Sequence, residues 1–374
     1  MHSEGGIFMA QFEPISQQKL DRHLRFWEPL TPGEGGYLAL TTRVRNALQV
    51  PAPATLEEKW FSSDLALQRI HASLANCEYH MDAIPTYFVN FGPGAMAPML
   101  GGGYKLQNNT VWFDTAPIVS DFEDAPELKL NRENIFYKSI KEQIQRMAAD
   151  SRGAYKVSYT DIGGTMDIVA SLRGSQDLLM DLVDYPEEIA AFSDQVDRCF
   201  MEYFNEQTQW IGDAGYTGWI PLVHNKTWYP LQCDFSAMIS PKMFERLVLP
   251  SLDRVSSQMG TAVYHLDGPG EIVHLDMILS VPNIHAIQWV PLPDVHLEKG
   301  AYHQRFDDEM SLDIYRRVLK AGRKVVLCGV PAYQIENIFR EVGSDGIFIF
   351  GGGVNNQEAK DLIDKLCRDG WLHP

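Results

Sequence analysis

The sequence predicts an α/β protein built as a (β/α)8 (TIM) barrel behind a helical N-terminal extension. Two observations carry this. Eight short apolar, β-branched runs alternate along the chain with amphipathic stretches. Most of the runs are continuously apolar rather than alternating, as strands covered on both faces are. A doubly wound open sheet is the rival. It places a Gly-rich dinucleotide turn after its first strand, and "LTTRVRNAL" contains none.

Taken in order, residues 1–36 read as the extension and 37–374 as a single barrel domain. The strand runs are Tyr37–Thr42, Ala83–Phe91, Tyr155–Thr160, Thr217–Val223, Thr261–Leu266, Ala286–Val290, Lys324–Cys328 and Gly346–Phe350. "LEEKWFSSDLALQRIHASL" follows the first as a helix. Residues 92–130 open with "GPGAMAPMLGGG", which lacks G-x-G-x-x-G spacing, and continue into a hairpin at "YKLQNNTVWFD". They read as an excursion over the barrel mouth. "NRENIFYKSIKEQIQRMAAD" is the helix before the third run. "SPKMFERLVLPSLDRVSSQM" starts with Ser240 as N-cap and Pro241 at the first helical position. "SLDIYRRVLKAG", "PAYQIENIFREVG" and "NNQEAKDLIDKLCRDG" each end at a glycine, as helices do.

Composition limits the partners. The 374 residues are 45% hydrophobic and carry a formal charge of −17. So acidic a chain repels nucleic acid and anionic lipid, and it suits a polyanionic substrate poorly. The five cysteines are widely spaced without a CxxC pair, as in a reducing cytosol. No apolar run approaches the ~20 residues of a membrane helix. The N-terminus lacks the basic start and apolar core of a signal peptide. The expectation is a soluble, cytoplasmic protein. Whether it forms a homodimer is open.

Barrel enzymes place their chemistry at the C-terminal strand ends. Those positions supply Asp82, Asn90, Asp161, His224, Trp228, Tyr229, Asp234, Tyr264, His265, Asp267, Trp289, Cys328 and Gly352. His265 and Asp267 stand two apart in "VYHLDGPG", so they share one face of a strand. A His and a carboxylate on one face can ligate zinc or act as an acid/base pair. Equally, His265 can be an interior histidine and Asp267 the cap of the Gly-Pro-Gly turn. Asp234 caps the turn before Ser240 or faces a ligand. Cys328 is a thiolate ligand or an inert small hydrophobe. Trp228, Tyr229, Tyr264 and Trp289 are core, or converge on the mouth as a box around a flat or cationic ligand.

Four stretches resemble the uroporphyrinogen decarboxylase superfamily, which includes cobalamin-dependent methyltransferases. They are "DAIPTYFVNFGPG", "CDFSAMISPKMFERLVLPSLDRV", "VYHLDGPG" and "GSDGIFIFGGGVNNQEAKDLIDKL". The second is similar to an SPxxFxxFxxP signature and the third to the methyltransferases' HxCGN. The resemblance spans most of residues 37–370 and implies a distorted (β/α)8 barrel. The decarboxylases' Arg-rich start matches "LTTRVRNAL", where only Arg43 and Arg45 remain, and the His of their closing GHG loop falls on Gly352. The methyltransferases' zinc ligands fall on His265, Asp267 and Gly352. A carboxylate thus replaces one thiolate, and the third ligand is left to Cys328, Asp234 or His224. A His/Asp set is harder than a thiolate set and suits polarising oxygen or nitrogen.

The implied function is a methyltransferase of corrinoid-linked one-carbon metabolism. It moves a methyl group between a small methylated amine or ether and a cobalamin on a partner corrinoid-binding protein, with zinc at His265, Asp267 and Cys328. Asp234, His265 and Asp267 position or protonate the leaving group. The substrate wall draws on Asp82, Asn90, Asp161, His224, Trp228, Tyr229, Tyr264, Trp289 and Gly352. The alternatives are a decarboxylase of a tetrapyrrole or other carboxylate, with an electropositive mouth at Arg43 and Arg45, and a non-catalytic corrinoid-binding barrel.

Overall fold

The structure, a computed structural model, describes residues 12–44, 48–113, 116–215, 218–292 and 304–374. Arg45 and Thr217 lie outside them. The chain folds as a mixed α/β protein around a mostly parallel sheet. Helix Gln17–Phe26 leads into β1 (Tyr37–Arg43). The next amphipathic stretch is cut at Ser62 into helices Leu56–Phe61 and Ser63–Asn76, because the Ser62 hydroxyl caps the second by accepting from the Leu65 amide. Then come β2 (Cys77–Met81), β3 (Thr86–Tyr87) and the antiparallel pair β4 (Lys105–Leu106) and β5 (Val111–Trp112). Helix Ile135–Ser151 precedes β6 (Lys156–Val157), and helices Thr165–Arg173, Ser175–Asp184 and Pro186–Ile211 follow it.

The second half is a regular βα alternation. β7 (Tyr229–Gln232), β8 (Ala262–Asp267), β9 (Ile284–Val290), β10 (Lys324–Pro331) and β11 (Ile347–Gly352) are its strands. Its helices include Pro241–Leu247, Leu249–Met259, Glu309–Lys320, Ala332–Val342 and Asn356–Arg368. Ser240 caps the first by accepting from the Met243 amide, and Asn355 with Glu358 forms a capping box on the last.

The main sheet runs β2-β1-β11-β10-β9-β8-β7, parallel except for β2. β3 and β6 pair in parallel with each other, apart from it. Eight parallel strands are therefore present, but among the described residues no ladder joins the two pieces, and the expected closed barrel is not closed. Two causes are visible. β2 lies antiparallel on the free edge of β1, where a second parallel strand belongs. Prolines also interrupt the donors: Pro85 precedes β3, Pro230 sits within β7, and Pro221 lies in the predicted run 217–223, which forms no strand among its described residues.

Alternate residues divide into two cores. Tyr37, Ala39, Val263, Ala286, Val326 and Phe348 face inward and pack with Ile220, Leu222 and Phe26. Their outward neighbours, such as Leu38, Tyr264, Trp289 and Ile349, join the larger core under the helices. Among the described residues no helix is long and apolar enough to cross a membrane.

Candidate metal and acid/base site

β8 presents Val263 to the inner core and Tyr264 and Leu266 to the outer one, so the pleat turns His265 and Asp267 inward. β7 runs beside β8 with Gln232 opposite His265. Two residues on, past the end of β7, Asp234 opens the short 3-10 turn Asp234–Met238 and comes up beside Asp267. One ligand-type atom from each of Asp234, His265 and Asp267 lies within 4.8 Å of the others. Among the described residues this is the one cluster suited to a metal ion.

The imidazole is held on two sides. Its Nδ1 lies 2.7 Å from Gln288 Oε1 on β9, and Trp219 meets the ring edge-on at 5.7 Å. With Nδ1–H donating to the amide oxygen, Nε2 keeps its lone pair for a metal or a proton. Asp234 is raised above the usual carboxylate range. The protein packed around it disfavours the charge, His265 pulls the other way, and Asp267 adds repulsion.

A second carboxylate organises this turn. Asp167, from helix Thr165–Arg173, accepts from the Phe235 amide at 2.8 Å and the Asp234 amide at 3.2 Å. Burial first, then the Asp234 charge, pushes it up to about 7. Asp161 behaves alike: burial and then Asp234 bring it to about 7, and its Oδ1 is buried without a hydrogen bond. Behind the turn, Glu271 is completely buried with neither oxygen well bonded. Burial, then Asp234, raises it to about 10 against the pull of the Asp267 amide. Asp167 and Asp234 share a cavity of about 280 Å³ with Trp112, Phe113, Phe235 and Met238. Asp167 and Glu271 escape a reading of strand ends, since both lie on helical turns. The signal for Asp167 is the "GG" before its helix. A Cβ on Gly164 would stand 2.2 Å from the Gln232 carbonyl oxygen and 2.4 Å from Asp167 Oδ2.

The other predicted positions scatter. Tyr264 and Trp289 point away from the mouth into the outer core, and Trp289 Nε1 donates to Ser311 Oγ at 2.9 Å. Pleat parity requires this once His265 and Gln288 face inward. Tyr229 is also in the outer core, its hydroxyl accepting from the Ile162 amide at 2.6 Å, so it braces the loop after β6. His224 and Trp228 precede β7 and pack on Trp27 at 4.8 and 5.2 Å, at the amino edge of the sheet rather than the mouth. Asp82 is fully buried at that same edge, paired with Arg22 and accepting from the Leu38 amide at 2.7 Å. Asn90 closes its own turn by accepting from the Gly92 amide at 2.9 Å. Cys328 is inward on β10 but stands outside the Asp234–His265–Asp267 cluster, and burial raises its thiol to about 12. Gly352, at the end of β11, lies on the floor of a different cavity.

No family model matches the chain, and no curated protein does. Among solved structures it resembles a methyltransferase from Methanosarcina mazei, with 11% identity and a TM-score of 0.58. The match covers 90% of this chain and 92% of that one, so the two share a fold along nearly their whole length.

Proposed function

We propose that the chain is a corrinoid-linked methyltransferase on a distorted, incompletely hydrogen-bonded (β/α)8 barrel, with Asp234, His265 and Asp267 as its centre. The observation that carries this is the convergence of those three side chains at the carboxyl end of β7 and β8. The likeness in fold to a methanogen methyltransferase supports it. One imidazole and two carboxylates form a three-ligand set, as catalytic zinc sites do, with room for a substrate atom. Gln288 supplies the outer hydrogen bond that orients the histidine. Zinc, when bound, supplies Lewis acidity toward the heteroatom bearing the methyl group.

The chain's own residues do the rest. Trp112, Phe113 and Phe235 wall the cavity beside Asp167 and Asp234. That lining suits a small cationic or neutral methylated donor, an amine or an ether, better than an anion. A cob(I)alamin on a corrinoid-binding partner would supply the electron pair that accepts the methyl group, the carbon–heteroatom pair leaving with the heteroatom. A neutral donor leaves with a negative heteroatom, which takes a proton from the carboxyl cluster, whereas a cationic amine leaves already neutral. A tetrapyrrole decarboxylase asks instead for cations around its substrate, and this cavity is walled by carboxylates.

The test is direct. Purified protein is analysed for zinc, then mixed with methylated amines and ethers and free cob(I)alamin, and methylcobalamin is followed by its absorbance. The expected result is zinc-dependent methylation that His265→Ala removes together with the metal. A metal-free protein that methylates cob(I)alamin from no amine or ether overturns the reading.

A further inference from the structure

A second cavity, of about 380 Å³, opens at the carboxyl ends of β1, β10 and β11. It shares no lining residue with the carboxylate cavity. None of its lining side chains is charged, although the chain as a whole carries −17. Its floor is the bare backbone of Gly351, Gly352 and Gly353. A Cβ on Gly352 would meet nothing within 4 Å, so packing does not require glycine there, whereas Gly353 stands at φ +81°, where other residues are strained. Gly351 differs, because its Cβ would press on Leu40 and Ile335.

Two further features shape the wall. The β10–β11 ladder passes from Cys328–Phe350 to Val330–Gly351 and skips Gly329, which bulges at φ +82°. A bulge of this kind frees backbone groups from the ladder. Beside it stands Phe350, half-buried and stacked on Phe348 at 4.5 Å and 8°. The cavity therefore offers an aromatic surface, backbone N–H and C=O groups, and the Thr41 hydroxyl, but no counter-charge.

We propose that this cavity binds an uncharged planar ring, lying against Phe350 with a polar edge toward the backbone of the Gly329 bulge and the glycine floor. The volume falls in the range of small-molecule sites. Burying an ionised group here leaves it unpaired, which costs far more than stacking returns. An anion is further disfavoured by the net charge of the chain. The site stands whether or not the carboxylate cavity transfers methyl groups.

The experiment uses calorimetric titration of the full chain with indole, and with indole-3-acetate and tryptamine as anionic and cationic forms of the same ring. Indole is expected to bind, with both charged analogues at least tenfold weaker. Gly352 does not have the left-handed backbone that strains other residues. Gly352→Leu should therefore fill the cavity, abolish indole binding and leave the melting temperature unchanged. Phe350→Leu should weaken indole several-fold, and it carries the test if Gly352→Leu fails to fold. Absence of indole binding, equal affinity for the charged analogues, or a folded Gly352→Leu that binds indole normally overturns the proposal.

Discussion

Asp167 touches the Asp234 turn through two backbone amides, at 2.8 and 3.2 Å, and so sets where the Asp234 carboxylate stands. Asparagine keeps one acceptor oxygen but puts an NH2 group against the second amide. Asp167→Asn is therefore expected to weaken Zn²⁺ binding roughly 10–100-fold, as loss of an outer-shell partner does. A competition titration against a chelating dye reads this, and unchanged affinity would show that the turn holds itself. Glu271 allows a prediction about pH. Its carboxyl is raised from 4.5 to about 10 in the folded chain. Below about pH 4.5 both folded and unfolded states carry the proton. Above it the unfolded state ionises while the folded state does not, so Glu271 costs stability increasingly as pH rises toward 10. Glu271→Gln should match the parent at pH 4.5 and exceed it by a few kcal/mol at pH 8. Urea denaturation at the two pH values decides it, and a difference independent of pH would refute it. At this scale His265 with Asp267 was legible in the sequence, because a strand's period of two is a local rule. The Asp167 contact was not, because it joins residues 67 and 68 positions apart.

Between β6 and helix Thr165–Arg173 the chain passes through Gly163 and Gly164, and the second is the tighter. Its missing side chain lets the helix start lie against the end of β7, which brings Asp167 to the Asp234 turn. Gly164→Ala drives a methyl group into a backbone oxygen and should cost roughly 2–4 kcal/mol, as severe overpacking does. Zinc affinity should fall with it. A melting temperature within a degree of the parent would show that the two elements can separate freely. Other elements show where local signals fail. Run 83–91 forms a strand only at β3, and run 155–160 only at β6 with a single bridge at Ser158. Apolar content marks a segment as buried, but proline and the competing β2 edge decide how much of it joins a ladder. The helix from Ser240 fared better, because its cap acts within one turn, whereas the helices between residues 165 and 211 went unread.

Across the whole molecule, the amino edge of the sheet is fastened far from the mouth. Arg22 pairs with Asp82 in the interior and also reaches the carbonyls of Gly36 and His373. His23 beside it lies 2.7 Å from the Asp82 carbonyl and accepts from the Val223 amide at 3.1 Å. One turn of helix thus ties together β1, the end of β2, the chain before β7 and the C-terminal residues. Arg22→Leu leaves Asp82 charged and buried, and is expected to cost roughly 3–5 kcal/mol. Arg22→Leu with Asp82→Asn should recover part of that loss. Chemical denaturation measures both, and a single-variant loss below about 1 kcal/mol would mean that water reaches the carboxylate.

The sequence by itself determined the α/β alternation, the helix start at Ser240, and the shared face of His265 and Asp267, since each rests on neighbours within a few residues. Tertiary structure alone decided that the strand ladder stays open and that Tyr264 and Trp289 serve the outer core. It also decided that Asp82, His224 and Trp228 lie at the amino edge and that Asp234, not Cys328, completes the cluster. Those outcomes depend on which edges pair and which loops meet, and charge, pleat and close backbone approach act there between residues that the sequence keeps far apart.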